Sequence, residues 1–188
     1  AEVWRCTSCD TSPSWSKIGG DGVNSSWNTS YENVPSMVLM GTNVVVGLGI
    51  TAGDGEVWRC TTNCLSATPT WAKIGGDGTG TGGQSWGSTY EQIISMAYSG
   101  NVLYVGTGTT PANEADVWRC SDVTTCNVTS GWTQVGGDAL NSSWAASTYE
   151  TVRSLLANGS TVYAGIGDTS GEAEVWSCTT CDGTPAWS

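Results

Sequence analysis

The stretch Val3-Trp4-Arg5-Cys6 returns as Val57-Trp58-Arg59-Cys60 and as Val117-Trp118-Arg119-Cys120. A fourth copy, Val175-Trp176-Ser177-Cys178, has Ser in place of Arg. Successive tryptophans in this series lie 54, 60 and 58 residues apart. A near-constant period of that size marks a chain built from repeats, so each residue must be compared with its copies before it is given a role.

The other parts repeat around this stretch in a constant order. Tyr-Glu opens each unit (Tyr31-Glu32, Tyr90-Glu91, Tyr149-Glu150). An apolar run follows (34–40, 152–157) and then a turn: Gly41-Thr42-Asn43, Ser99-Gly100-Asn101 or Asn158-Gly159-Ser160. Next comes a β-rich run with alternate glycines (44–49, 102–108, 162–167), a Gly/Asp/Glu-rich loop and the Val-Trp run. A second cysteine follows, then Trp-x-x-Ile/Val-Gly-Gly-Asp (15–21, 71–77, 132–138) and a Ser-Trp loop at Trp27, Trp86 and Trp144. Each unit therefore holds four short β runs, A to D, bounded by turn residues. No long window shows helical spacing. Four-stranded units in series predict an all-β chain of propeller-type blades in tandem. The expected division is a half unit at 1–27 (runs C and D), units at 28–86 and 87–144, and a unit at 145–188 lacking the end of run D.

The glycines of run B fit strands that another backbone approaches closely. Gly47-Leu48-Gly49-Ile50-Thr51-Ala52 matches a dinucleotide-binding pattern, but that pattern must open a helix. Here a Gly-Asp-Gly loop and another strand follow.

Composition narrows the chemistry. The 188 residues include 17 acidic and 6 basic side chains, a net charge of −11. Nucleic acid and anionic membranes need clustered Lys and Arg, so neither is expected as a partner. Histidine is absent, which removes His-based triads and His-ligated metal. No apolar run approaches the about 18 residues of a spanning helix. No leader is visible at Ala1, as expected of a processed or excised segment.

The stretch from Val3 to Trp15 resembles the Asp-box hairpin of sialidase-like and sortilin-like β-propellers. There, a strand carrying an aromatic residue enters a Ser/Thr-x-Asp-x-Gly-x-Thr-Trp turn. Cys9-Asp10 and Cys181-Asp182-Gly183 supply the Asp in two copies; Thr61-Thr62-Asn63-Cys64 and 121–126 depart from the pattern. Trp15, Trp71, Trp132 and Trp187 keep its closing tryptophan. The resemblance implies a propeller fold without carrying an activity. Sialidases also use an arginine triad, but Arg5, Arg59 and Arg119 occupy one repeat position on separate units, and only Arg153 remains. A converging triad is not expected, and sialidase-type hydrolysis ranks last among the functions considered.

The eight cysteines fall in pairs just after the Val-Trp run: Cys6/Cys9, Cys60/Cys64, Cys120/Cys126 and Cys178/Cys181. Four local disulfides in an oxidising compartment are predicted. A zinc site would need two pairs to converge on one ion, whereas pairs on successive units diverge. Even a loop of about 15 residues gains only about 3 kcal/mol from closure, so these shorter staples chiefly protect exposed hairpins.

The acids repeat as well: Glu2, Glu56, Asp116 and Glu174 before Val-Trp; Asp21, Asp77 and Asp138 after Gly-Gly; Glu32, Glu91 and Glu150 after Tyr. Turn capping and pairing with the repeat Arg or with Lys17 and Lys73 are expected, not catalysis. Calcium is the alternative, although Asp54-Gly55-Glu56 and Glu114-Ala115-Asp116 are sparse for an oxygen-rich loop. No other cofactor or metal is expected. The tryptophans of runs C and D are expected in the core between units. Trp27, Trp86 and Trp144 sit in polar loops. They either fill the space between units or, if exposed, stack on sugars, one site per unit. Sequons at Asn24, Asn28, Asn127, Asn141 and Asn158 are candidate glycosylation sites.

Residues 2–16 recur as 174–188, so the chain opens on runs C and D and closes inside a run D. Unpaired strand edges template association. The expectation is a longer tandem array, or copies that complete one another by strand addition into rings or filaments. The leading functional expectation is a secreted, disulfide-stapled structural or adhesive protein that self-associates. A multivalent glycan-binding lectin is the alternative.

Overall fold

The computed structural model describes residues 1–31, 33–49, 55–66, 68–76, 86, 92–108, 115–122, 126, 131–145, 151–167, 171 and 173–188. Among these the chain is all-β. Fourteen strands form one two-stranded and three four-stranded antiparallel sheets, and the only helical turns are two three-residue 3-10 turns, Val23–Ser25 and Leu140–Ser142.

The first sheet is a hairpin of β1 (Val3–Thr7) and β2 (Ser14–Gly19), runs C and D of the first unit. The second unit holds β3 (Ser36–Met40), β4 (Asn43–Gly47), β5 (Val57–Thr62) and β6 (Thr70–Gly75) in that spatial order. In the third, β7 (Gln92–Ser99), β8 (Val102–Gly108), β9 (Val117–Cys120) and β10 (Trp132–Gly136) are ordered alike. The fourth holds β11 (Val152–Asn158), β12 (Thr161–Ile166), β13 (Glu174–Thr179) and the short β14 (Ala186–Trp187). Each of runs A to D is thus one strand, and each four-stranded sheet is a meander. Tight turns join A to B; Gly41, Gly100 and Gly159 there take left-handed φ of 61°, 59° and 61°, a conformation that costs glycine least.

The sheets stack face to face, with β3 against β7 and β7 against β11. The run B glycines lie at this junction. A Cβ on Gly47 would come within 2.7 Å of Ile93 in the next unit, and one on Gly106 within 2.6 Å of Val152. Hydroxyls sew the same seam: Ser36 Oγ donates to the Ile93 carbonyl (2.6 Å) and Ser95 Oγ to the Val152 carbonyl (2.8 Å). Three apolar clusters result. Each straddles two units, as in the grouping of Val45, Val57 and Ile74 with Ile93, Leu103 and Val105.

The four predicted cysteine pairs are brought together as local disulfides, with Cα–Cα separations of 5.9, 5.7, 6.1 and 5.7 Å for Cys6–Cys9, Cys60–Cys64, Cys120–Cys126 and Cys178–Cys181. Each closes the turn that leaves run C. No helix among the described residues is long and apolar enough to cross a membrane.

One expectation is corrected here. Trp4 and Trp15 are not core residues: they are 50% and 62% exposed. Their copies Trp58 and Trp71 are covered by Trp27 of the unit before them, and among the described residues no unit packs on that side of β1–β2.

Candidate functional site

The repeated residues converge on the contact between successive units. Its centre is the loop tryptophan. Trp27, Trp86 and Trp144 are 1–2% exposed, so no sugar ring can reach their faces. Of the two readings for these indoles, filling the space between units is the one found, and sugar stacking is not, because each is clamped between two others. Trp27 lies edge-on to Trp58 and Trp71, with centroids 6.0 and 5.3 Å apart. Trp86 meets Trp118 and Trp132 at 5.9 and 5.1 Å, and Trp144 meets Trp176 and Trp187 at 5.8 and 5.1 Å. Edge-to-face geometry sets the positive ring edge against the negative ring face.

Each indole N–H has a fixed acceptor. Trp27, Trp86 and Trp144 donate to the carbonyls of Ala1, Gly55 and Ala115 in their own units, at 2.8, 2.7 and 2.6 Å. The run D tryptophans reach backwards: Trp71 donates to the Ile18 carbonyl, Trp132 to Ile74 and Trp187 to Val135, at 2.7, 2.6 and 2.7 Å. The adjacent glycines make room. A Cβ on Gly19, Gly75 or Gly136 would lie 2.8–2.9 Å from an indole carbon or nitrogen. A carbonyl, a glycine and a loop tryptophan of one unit therefore form a socket for the run D tryptophan of the next. Burying 150–250 Å² of indole at about 25 cal/mol per Å² is worth about 4–6 kcal/mol per socket as an upper value. The exposed ion pairs of Lys17 with Glu2 and Asp21 are worth less, because water screens them.

The loop that carries the socket tryptophan is braced from below. Asn24 Nδ2 donates to the Ile18 carbonyl (3.1 Å) and Asn141 Nδ2 to the Val135 carbonyl (3.0 Å), the acceptors used by Trp71 and Trp187. Both asparagines take left-handed φ, 58° and 54°, which asparagine tolerates better than most residues. Ser26 and Ser143 accept from the amides of Gly20 and Gly137, at 2.8 and 2.9 Å. Nδ2 is the atom a glycan would take, and at Asn24 and Asn141 it is committed to the loop. Asn28 and Asn158 are exposed, and Asn127 lies outside the described residues. The bracing was missed in the sequence, although its signal was present: both asparagines stand six residues after the bonded carbonyl.

The repeat arginines hold the other side of the contact. Arg5 donates from Nη1 to the Leu65 carbonyl. Arg119 Nη1 donates to the carbonyls of Cys181 (2.6 Å) and Gly183 (3.0 Å). Each guanidinium thus grips the cystine turn of the following unit. Arg5 and Arg119 were expected to pair with the repeat acids, but these contacts are to main-chain oxygens in separate units, and no triad forms from them. Burial lowers the Arg59 pKa.

The acids instead meet lysines. Glu2 accepts from Lys17 (2.6 Å), which also bonds Asp21, and Glu56 accepts from Lys73. Their second oxygens take the indole N–H of Trp4 (2.8 Å) and Trp58 (2.7 Å). The hydrogen bonds from Lys17 depress the Asp21 pKa, and the same contacts raise that of Lys17. Glu32, Asp54, Asp77, Glu91, Glu114 and Glu150 lie outside the described residues. Among those described, no three Cys, Asp or Glu gather as a metal site. A shallow hollow of about 370 Å³ beside the Cys60–Cys64 turn is lined by Thr42, Asn43, Thr61, Thr62, Asn63, Cys64 and Leu65, without a titratable group.

Tyr104, on β8, is fully buried beside Arg119, and its hydroxyl has no hydrogen-bond partner among the described residues. Burial, then the nearby Asp182 charge, pushes its pKa up to about 12, with Arg119 opposing.

No family model matches the chain, and comparison with curated proteins gives no significant match.

Proposed function

We propose that this chain is a secreted, disulfide-stapled run of β-propeller-type blades with a structural, assembly or adhesive role, self-associating through the faces that join its own units. The observation that carries the reading is how the repeated polar and aromatic side chains are used. Among the described residues, Trp, Arg and Gly at the repeat positions are spent on unit-to-unit docking, Asn24 and Asn141 on bracing the loop of the docking tryptophan, and Lys17 and Lys73 on acids of their own hairpins. A docking face used three times within one chain is suited to further use between chains. Cystine-closed turns suit an oxidising, protease-exposed setting. The lectin alternative loses its proposed site with the burial of Trp27, Trp86 and Trp144. Sialidase chemistry finds no arginine cluster in Arg5 and Arg119.

Electron microscopy and sedimentation velocity of the purified, oxidised chain test this. Rings, filaments or concentration-dependent oligomers are expected. Monodisperse monomers at all concentrations would overturn it.

A further inference from the structure

We infer that the β1–β2 hairpin of a second copy of this chain replaces β13–β14, seating its Trp15 in the socket of Val135, Gly136 and Trp144. This rests on the self-association reading above and names the contact.

Three observations point to exchange over simple end-to-end stacking. The first is identity. Residues 2–16 and 174–188 agree at ten of fifteen positions, including both cysteines, both tryptophans, the Asp and the Pro. Whatever holds the resident hairpin will hold the incoming one. Val3, Trp4 and Cys6 take the β12 partners of Val175, Trp176 and Cys178. The Cys9 and Thr11 carbonyls come to Arg119 in place of those of Cys181 and Gly183.

The second is exposure. Trp15 stands 62% exposed, while Trp71 and Trp187, with the same local sequence, are 3% and 4% exposed in their sockets. The occupant of such a face is already displayed three times in this chain: the socket of a neighbouring unit.

The third is the substitution that breaks the repeat. Arg5 and Arg119 each grip the cystine turn of the next unit, but Ser177 stands at that position in the fourth unit and is too short to do so. A unit stacked beyond β13–β14 would meet no guanidinium. After exchange, Arg5 stands where Ser177 stood, and the incoming chain carries its own Leu65 turn already gripped by it. Tyr163, now 43% exposed opposite Ser177, gains an arginine opposite it, as Tyr104 has Arg119. Every junction of the assembly is then of the internal kind. Exchange of near-identical elements trades one set of contacts for its equivalent, so it costs little.

The full-length oxidised protein tests this by sedimentation velocity and hydrogen exchange on the wild type, Trp15→Ala and Trp187→Ala. Exchange predicts that Trp15→Ala weakens association tenfold or more. It predicts that Trp187→Ala, by loosening the resident hairpin, strengthens association by a similar factor. On assembly the amides of β13 should lose protection while those of β1 gain it. Stacking beyond an intact fourth unit predicts the reverse for Trp187→Ala, and that result would overturn the inference. So would wild-type assembly that Trp15→Ala leaves unchanged, although self-association would then stand. No assembly by the wild type and by Trp187→Ala alike would overturn both.

Discussion

The hairpins β1–β2 and β5–β6 are built from nearly the same residues, yet they sit in opposite environments. Trp15 faces outward and Trp71 is sealed against Trp27. Glu2 is exposed and Glu56 buried, and the Cys9 end of one staple is exposed where the Cys64 end of the other is buried. Strand pairing is the same in both: Trp4 lies opposite Lys17 and Trp58 opposite Lys73. Local sequence therefore fixes the hairpin, and the neighbouring unit fixes what the hairpin buries. Stability should follow the neighbour, as expected of arrays whose energy is a sum of unit and interface terms.

The largest break in that comparison comes from the indoles. Trp71→Ala removes a buried side chain, its bond to the Ile18 carbonyl and the edge contact with Trp27, and should cost about 3–5 kcal/mol. Trp15→Ala, at the same repeat position, should stay within about 0.5 kcal/mol in the monomer. Urea unfolding of the two variants under non-assembling conditions measures the difference. Equal losses would mean that burial at this position does not depend on the preceding unit.

Much of this was legible in the sequence, and the reason is physical. The Val-Trp-Arg-Cys copies alternate side chains across a strand, the Gly-Thr-Asn and Ser-Gly-Asn segments demand turns, and cysteines three to six residues apart favour local staples. These are short-range constraints, and strands, turns and staples followed from them. What a side chain meets in the next unit is not short-range. Nothing in the residues around Trp15 distinguishes it from Trp71, because the difference lies in Ile18, Gly19 and Trp27, more than forty residues before Trp71. Likewise the basic character of Arg119 suggested an acid partner, whereas its acceptors are the carbonyls of Cys181 and Gly183. Backbone acceptors leave no mark on composition.

A smaller effect should separate the two ion pairs. Glu56→Gln leaves Lys73 facing a neutral amide in a site where the carboxylate was almost fully buried. Breaking a buried pair costs up to about 3–5 kcal/mol. The partly exposed Lys73 should hold the loss toward the lower end. Glu2→Gln, on the open hairpin, should cost under about 1 kcal/mol and lose even that in concentrated salt. Thermal melts at low and high salt read both. A salt-insensitive loss for Glu56→Gln alone sharpens the contrast between the covered and the open hairpin.

The opposite end of the array repeats the lesson with a tyrosine pair, and at neutral pH its effect is nil. Tyr104 and Tyr163 hold equivalent places on β8 and β12, but the turn of the fourth unit covers only Tyr104. Burial raises the folded-state pKa of Tyr104 to about 12, above the ordinary tyrosine value of about 10. The folded protein therefore keeps a proton that the unfolded chain releases. Stability is complete below about pH 10 and falls as pH rises towards 12, with no further loss above the folded pKa. Tyr104→Phe should leave stability at pH 7 unchanged or slightly higher, since it deletes a buried hydroxyl without a described partner. It should also flatten this alkaline decline. Urea midpoints at pH 8, 10 and 11.5 for the wild type and Tyr104→Phe provide the measurement. An equal alkaline decline in both would place the titrating group elsewhere. A flattened decline in the variant would show that the fourth unit's turn seals β8 as the first unit seals Trp71.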